Sequence, residues 1–271
     1  MRRVLLHLGF HKTGTTAAQS FLYENRELIW PHFALMLPYK TRKLGLSNAA
    51  TRHSIYGTLG TLSDFSKQLR DYLATRNFGT RRGLILSEEN FSGLRPSRNI
   101  DQGYAAAPDL AACVVDAVHD RFAGQEVDIT IYLSLRQRGS WLRSLWAHDL
   151  ERTREVQDFE AFRENMDHLP SLEDTVEDIR QKLPTVKVTV DWLEEMQLRR
   201  FGSGTPFAEF LNLPREKAGQ LGPPTKINTR LPEDVLAELL VLNRSRLDEA
   251  ALTLQKAEVI EQAKNAMVGT T

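Results

Sequence analysis

The chain has 271 residues, with 35 basic and 35 acidic side chains and a formal net charge of zero. Hydrophobic residues make up 41% and charged residues 26%, a globular composition that excludes collagen-like, low-complexity and disordered classes. The balanced charge argues against a nucleic-acid coat or a polybasic membrane binder, and leaves room for a local basic pocket that holds a small anion.

Met1-Arg2-Arg3 followed by Val4-Leu5-Leu6 has the outline of a secretory leader. His7 and Lys12 break the apolar run, and no small-residue cleavage site follows, so the expectation for residues 4–8 is a short buried first strand. The polar cluster Gly9-Phe10-His11-Lys12-Thr13-Gly14 comes next, then a helical pattern over about 15–28. A second helical pattern covers 62–75. A strand at 83–86 runs into Ser87-Glu88-Glu89-Asn90, and another helix is expected at 109–122. Within it Cys113 lies in Ala111-Ala112-Cys113-Val114-Val115 and reads as core packing. It is the only cysteine and cannot form an internal disulfide, so a cytoplasmic location is expected. The most apolar strand, 129–135, ends at Arg136-Gln137-Arg138-Gly139 before a helix over 140–152. A helix at 172–183 and a strand at 186–190 follow, and the tail from 232 to 266 reads as one long helix or a helical pair. No stretch reaches 18 uninterrupted apolar residues, so no membrane span is expected.

Strands alternating with helices predict an α/β fold: a three-layer sandwich with a central parallel sheet and helices on both faces. In such sheets ligands bind at the carboxyl ends of the strands, where all three polar clusters fall.

The first cluster has the parts of a phosphate cradle. Glycines let the backbone turn tightly and present its N–H groups, and a helix N-terminus adds donors and partial positive charge. Lys12 supplies a full charge, and Thr13, Thr15 and Thr16 supply hydroxyls. The spacing G-x-x-x-x-G resembles a Walker A loop, but Thr15-Thr16 stand where Lys-Ser or Lys-Thr would be, and the lysine comes before the second glycine. His11-Lys12-Thr13-Gly14-Thr15-Thr16 resembles the 5′-phosphosulfate loop of sulfotransferases that use 3′-phosphoadenosine 5′-phosphosulfate (PAPS), in particular the bacterial, carbohydrate-type branch whose loop reads HKTGTT. The resemblance implies a P-loop-like sulfotransferase domain over 1–271. It also implies PAPS as donor, 3′,5′-ADP as product, and contacts to the donor from His11, Lys12, Thr13, Gly14, Thr15 and Thr16. Lys12 would bond the oxygen that joins phosphate to sulfate.

In that family an arginine at a strand end and a serine eight residues later hold the donor's 3′-phosphate, which implies Arg136 and Ser144 here. A guanidinium offers a fork of donors matched to phosphate oxygens. Trp141 and Leu145 share a helix face near Ser144 and are expected to pack inward. Arg138 and Arg143 read as solvated or ion-paired, and His148 as structural or acceptor-side. Late basic segments close over PAPS in this family, and Lys226-Ile227-Asn228-Thr229-Arg230 is a loose match.

Sulfuryl transfer needs a base for the acceptor hydroxyl. Ser87-Glu88-Glu89-Asn90-Phe91 resembles a Ser-x-Glu-x-Phe pattern of bacterial relatives, which points to Glu89. Glu88 and Glu89 could equally cap the next helix or pair with Arg95 and Arg98. His53 competes as base by position alone. Acceptor loops are expected at 39–56, 91–104 and 151–168, and their Arg, His and Tyr suit a hydroxyl compound such as a sugar. A P-loop nucleotide kinase or hydrolase is the alternative, kept open by the two acids, and a nucleotide-binding module without chemistry is a third. No histidine–cysteine cluster has metal-ligand spacing, so no metal is expected. No nucleic-acid partner is expected either.

Overall fold

The computed structural model describes residues 1–97, 102–225 and 230–268, without the side chains of residues 267 and 268. Strand β1 (Arg2–His7) leads into helix α1 (Thr15–Glu24) and the short α2 (Arg26–Ile29). Strand β2 (Phe33–Met36) is followed by α3 (Pro38–Lys43), α4 (Leu46–Tyr56) and α5 (Leu59–Ala74). Then come β3 (Gly83–Ser87), a 3₁₀ turn (Glu89–Ser92), α6 (Ala107–Arg121), β4 (Val127–Leu135), α7 (Arg138–Arg152), α8 (Phe159–Asn165) and α9 (Leu172–Lys182). Beyond β5 (Lys187–Trp192) lie α10 (Leu193–Met196), a second 3₁₀ turn (Gly202–Gly204), α11 (Thr205–Leu211), α12 (Arg215–Gly219), α13 (Glu233–Arg244) and α14 (Glu249–Val268).

The sheet is all parallel in the order β2-β3-β1-β4-β5, so the α/β sandwich read from the alternation is the fold observed. β1 is central, and His7 at its end pairs with Ser87 on one side and Tyr132 on the other. Successive side chains point to opposite faces of a strand. On one face Leu5, Leu35, Ile85 and Tyr132 bury against Ala18, Phe21 and Leu22 of α1 and Phe207 and Leu211 of α11. The alternate residues Val4, Leu6, Leu84, Leu86, Ile131 and Leu133 are equally buried. On that side α6 packs with α5 and α9, and α9 meets β4. After β1 the chain goes to β2 on one side of the sheet, whereas after β3 it crosses β1 to reach β4. Connections that leave in opposite directions open a crevice at the carboxyl ends of β1 and β3.

The chain clusters into two compact units where the sequence predicts one domain over 1–271. The first comprises the described residues within 1–95, 102–137 and 170–228; the second comprises those within 96–101, 138–169 and 229–271. The first holds the sheet. In the second, α13 packs on α7 and α14, and the buried Asn243 amide donates to Leu150 O and Glu155 O at 3.2 and 2.9 Å while its oxygen accepts from Lys256. Trp141 and Leu145 of α7 are buried as expected. Arg143 pairs with Glu233, and Arg138 donates to Met166 O and Asp167 O.

Three segments differ from expectation. β2 has four residues, too few to show an alternating pattern, and it enters the sheet by pairing with β3. The helix expected to reach residue 28 stops at Asn25, whose amide donates to Phe21 O at 2.9 Å and to Gly222 O at 3.0 Å; the apolar period continues to the buried Ile29 and hides the break. Residues 39–56, expected as an acceptor loop, are largely helical: Pro38 opens α3, and Gly45 and Gly57, at φ 76° and 59°, bracket α4. Among the described residues no helix is long and apolar enough to cross a membrane, and no group of His, Cys, Asp and Glu is arranged to hold a metal ion.

Candidate functional site

The loop between β1 and α1 crosses the crevice at the central strand. Lys12 sits at φ 66° and Gly14 at φ 95°. The left-handed region costs a non-glycine residue about 1–2 kcal/mol. At Gly14 a Cβ would collide with Ser203 and with Leu193 Cδ1 at 2.8 Å, so only glycine fits. Gly14 is also the N-cap of α1, with no side-chain capping bond and no acid in the first turn.

The loop is pinned from below and from β4. Phe10 N–H donates to Ser134 O at 3.4 Å, and Ser134 N–H donates to Gly9 O at 2.9 Å. The buried Thr13 hydroxyl donates to Phe10 O at 2.6 Å and meets Ser134 Oγ at 2.5 Å. Ser92 bonds Leu8 O. Arg136, the first residue after β4, donates Nη1 to Lys12 O at 2.9 Å. Thr13 therefore faces the core with its hydroxyl, and Arg136 holds the loop backbone as well as standing at its predicted strand end.

His11 joins the loop to the acids. Asn90 Nδ2 donates to Glu88 Oε1 at 2.8 Å, which turns the Asn90 carbonyl toward His11 Nε2, 3.2 Å away. That oxygen only accepts, so Nε2 carries the hydrogen and Nδ1 accepts from the Tyr104 hydroxyl at 3.1 Å. The Tyr104 oxygen in turn accepts from His11 N–H at 3.2 Å, and the two rings are nearly parallel, 5.9 Å apart. Burial lowers the His11 pKa to about 4, against the raising effect of Glu89 and the Asn90 bond. The imidazole is therefore neutral at pH 7. Both ring nitrogens are engaged within the protein, so what His11 offers a ligand comes from its place in the loop.

The adjacent acids have separate roles. Glu88 is fully buried and accepts from Thr41, from Ser47 at 2.8 Å and from Asn90 N–H at 3.2 Å, capping the 3₁₀ turn. Glu89 is largely buried and held from two helices. Its Oε2 accepts from Gln19 of α1 at 2.7 Å and its Oε1 from Arg42 of α3 at 2.6 Å. Burial raises the Glu89 pKa, but His11, Arg42 and the Gln19 amide outweigh it and hold the carboxyl below its ordinary value. Glu89 is thus a carboxylate at neutral pH, positioned from two helices.

The structure brings His11, Lys12, Thr13, Gly14 and Arg136 together, with Glu88 joined to the loop through Asn90 and His11, and Glu89 linked to it by its electrostatic interaction with His11 and its bond to Gln19 of α1. Thr15, buried, and Thr16, half-buried, start α1. His53 stands apart from these bonds: it is buried in α4 with Nδ1 3.0 Å from Thr61 Oγ1. Ser144 is half-buried on α7 in the second unit, and residues 226–229 of the late basic segment lie outside the described residues. Gln19, Arg42, Ser134 and Tyr104 were not singled out from sequence. Only Gln19 carries a local signal, a polar side chain one turn beyond Thr15 on the same helix face.

No family model, curated protein or solved structure matches the chain, so the resemblance of its first loop to a sulfotransferase motif stands on these residues alone.

Proposed function

We propose that the chain is a PAPS-dependent sulfotransferase that moves a sulfuryl group to an acceptor hydroxyl. The observation that carries this reading is Lys12 at φ 66°, between pinned loop residues and an uncapped helix N-terminus. Glycine would adopt that conformation without strain, so the lysine side chain is what the position retains at a cost. A lysine beside an uncapped helix N-terminus suits a phosphosulfate.

In the proposed reaction the donor's 5′-phosphate lies on the loop from His11 to Thr16. The acceptor oxygen attacks sulfur in line, its proton passes to a nearby base, and the bond from sulfur to the bridging oxygen breaks. The electron pair leaves on the 5′-phosphate of 3′,5′-ADP. Lys12 stabilises that developing charge, an interaction stronger in the transition state than in the ground state. Arg136, which donates Nη1 to Lys12 O, and Ser144 are the residues the resemblance gives the 3′-phosphate. Glu89 is the proposed base: ionised at neutral pH and directly bonded to two helices that flank the loop. His53 is the second candidate.

Calorimetry tests the reading without an acceptor. The protein is expected to bind 3′,5′-ADP at least about tenfold more tightly than 5′-AMP or magnesium-ATP, since a charge-assisted bond to the 3′-phosphate is worth ~1.5–3 kcal/mol. Equal or tighter binding of magnesium-ATP would replace it with the nucleotide kinase or hydrolase reading.

A further inference from the structure

The corner between α4 and α5 holds apolar side chains out to solvent. Ile55, Tyr56 and Leu59 are 54%, 65% and 87% exposed. A single exposed leucine needs no explanation, but three large apolar side chains within one turn of chain form a patch. The geometry of the corner is fixed. Gly57 ends α4 at φ 59°, and Thr58 caps α5 by accepting from Thr61 N–H at 3.2 Å. Beneath them His53 Nδ1 lies 3.0 Å from Thr61 Oγ1. Residues 55–60 are all exposed, so the corner projects. The charge around it has one sign. Residues 28–63 contain no acid, the longest such stretch in the chain, and they include Lys40, Arg42, Lys43 and Arg52. Arg52 lies one turn before Ile55 and Tyr56 on the same face of α4, and its side chain is 56% exposed, 3.8 Å from Asp64. The helix α3, which packs on α4, carries the other three cations.

We infer that this corner is a peripheral docking tip for an anionic lipid bilayer. Tyrosine and leucine side chains enter the boundary between headgroups and acyl chains, and cations beside them meet anionic headgroups. The zero charge of the whole chain does not oppose this, because only charges within about a Debye length of the surface contribute, ~8 Å at physiological salt. Three side chains fall short of the ~800 Å² that each partner of a standard protein complex buries. A lipid surface takes up an apolar tip of small footprint. The docking is reversible and spans nothing. Ser54 Oγ accepts from Leu94 N–H at 2.7 Å, which sets the corner beside the 3₁₀ turn after β3. A docked chain therefore holds the carboxyl edge of its sheet near the bilayer. The inference does not depend on the transferase reading.

The test sediments the full chain with vesicles of phosphatidylcholine alone and of phosphatidylcholine mixed with phosphatidylserine. The chain is expected to bind the mixed vesicles, to bind them more weakly as salt rises, and to leave pure phosphatidylcholine largely unbound. Tyr56→Ser and Leu59→Ser should each weaken binding roughly fivefold or more. Arg52→Gln combined with Lys43→Gln should weaken it by roughly tenfold or more. All these side chains are exposed, so the thermal midpoints should match that of the unaltered chain. Tyr56→Trp keeps an interfacial ring. It should bind as the unaltered chain does, and brominated lipid should quench its fluorescence more than that of the unaltered chain. Absent binding to mixed vesicles, equal binding to both kinds, or unchanged binding in Tyr56→Ser and Leu59→Ser would overturn the proposal. So would sedimentation velocity that finds a self-associated chain which Leu59→Ser returns to monomer, since the corner would then be a contact between copies.

Discussion

Arg136 Nη1 donates to the carbonyl oxygen of Lys12 at 2.9 Å, tying the end of β4 to the left-handed residue of the loop after β1. One guanidinium therefore braces the proposed phosphosulfate cradle and, in the transferase reading, meets the 3′-phosphate. The two duties share one planar fork, which lysine cannot supply.

That dual role changes what an alanine at Arg136 should do. Arg136→Ala is expected to weaken 3′,5′-ADP by roughly 1.5–3 kcal/mol, the scale of a charge-assisted hydrogen bond. It should also weaken 5′-AMP by about 1 kcal/mol, because the brace on Lys12 is lost. Ser144→Ala should weaken 3′,5′-ADP and leave 5′-AMP alone. Paired calorimetric titrations give both numbers. Unchanged 5′-AMP binding in Arg136→Ala would show that the contact to Lys12 does not shape the loop.

Glu88 and Glu89 should separate cleanly. Glu89→Gln is expected to fold normally and to lower turnover of PAPS by ~10²–10⁴, the range for removing a general base. Glu88→Ala leaves the hydroxyls of Thr41 and Ser47 and the Asn90 amide without their buried acceptor. It should cost at least ~1–3 kcal/mol of stability. Urea unfolding and steady-state rates on both variants distinguish the two. A normal rate in Glu89→Gln would move the base to His53, and His53→Ala is then the variant that should lose activity.

Stability should fall on mild acidification. Burial lowers the pKa of His7 to about 4, outweighing the raising effect of Glu89. His7 is fully buried, its Nδ1 lies 2.7 Å from Ser87 Oγ, and among the described residues its Nε2 has no hydrogen-bond partner. The unfolded chain takes up the proton near pH 6.5, the folded chain only near 4. The contribution is thus complete above about 6.5, declines between about 6.5 and 4, and levels off below. His7 alone accounts for at most about 3 kcal/mol over that window. His11, lowered to about 4 as well, acts in the same direction. Denaturant melts near pH 7.5 and pH 4.5 check it: His7→Gln should show a smaller drop than the unaltered chain, and an equal drop would assign the acid sensitivity elsewhere.

Much of this architecture is legible in the chain because its strands and polar clusters are local. Val4, Leu5 and Leu6 before Gly9 announce β1 and its loop, and Ile129 to Leu135 announces β4 with Arg136 at its end. What stays hidden depends on contacts far apart in sequence. β2 gains its identity only by pairing with β3. Asn25 ends α1 through a bond to Gly222, 197 residues away. The clamp on Glu89 draws Gln19 and Arg42 from helices 70 and 47 residues distant, and Tyr104 reaches His11 across 93. Such partners leave no periodic or spacing signal, so a sequence shows the cradle and the acid but not what orients them.

In the proposed reaction Lys12 acts on the leaving group, and turnover of labelled PAPS by Lys12→Gly beside Lys12→Ala measures this most directly. Glycine accepts φ 66° without strain, so Lys12→Gly removes the ammonium while the cradle keeps its shape. Turnover should fall by ~10²–10³ in Lys12→Gly, the range for losing one preorganised charge-stabilising donor. Its 3′,5′-ADP affinity should change by less than about tenfold, and Lys12→Ala, which keeps a Cβ at the same φ as the native lysine, should lose turnover to a similar extent. Near-normal turnover in Lys12→Gly would contradict the account.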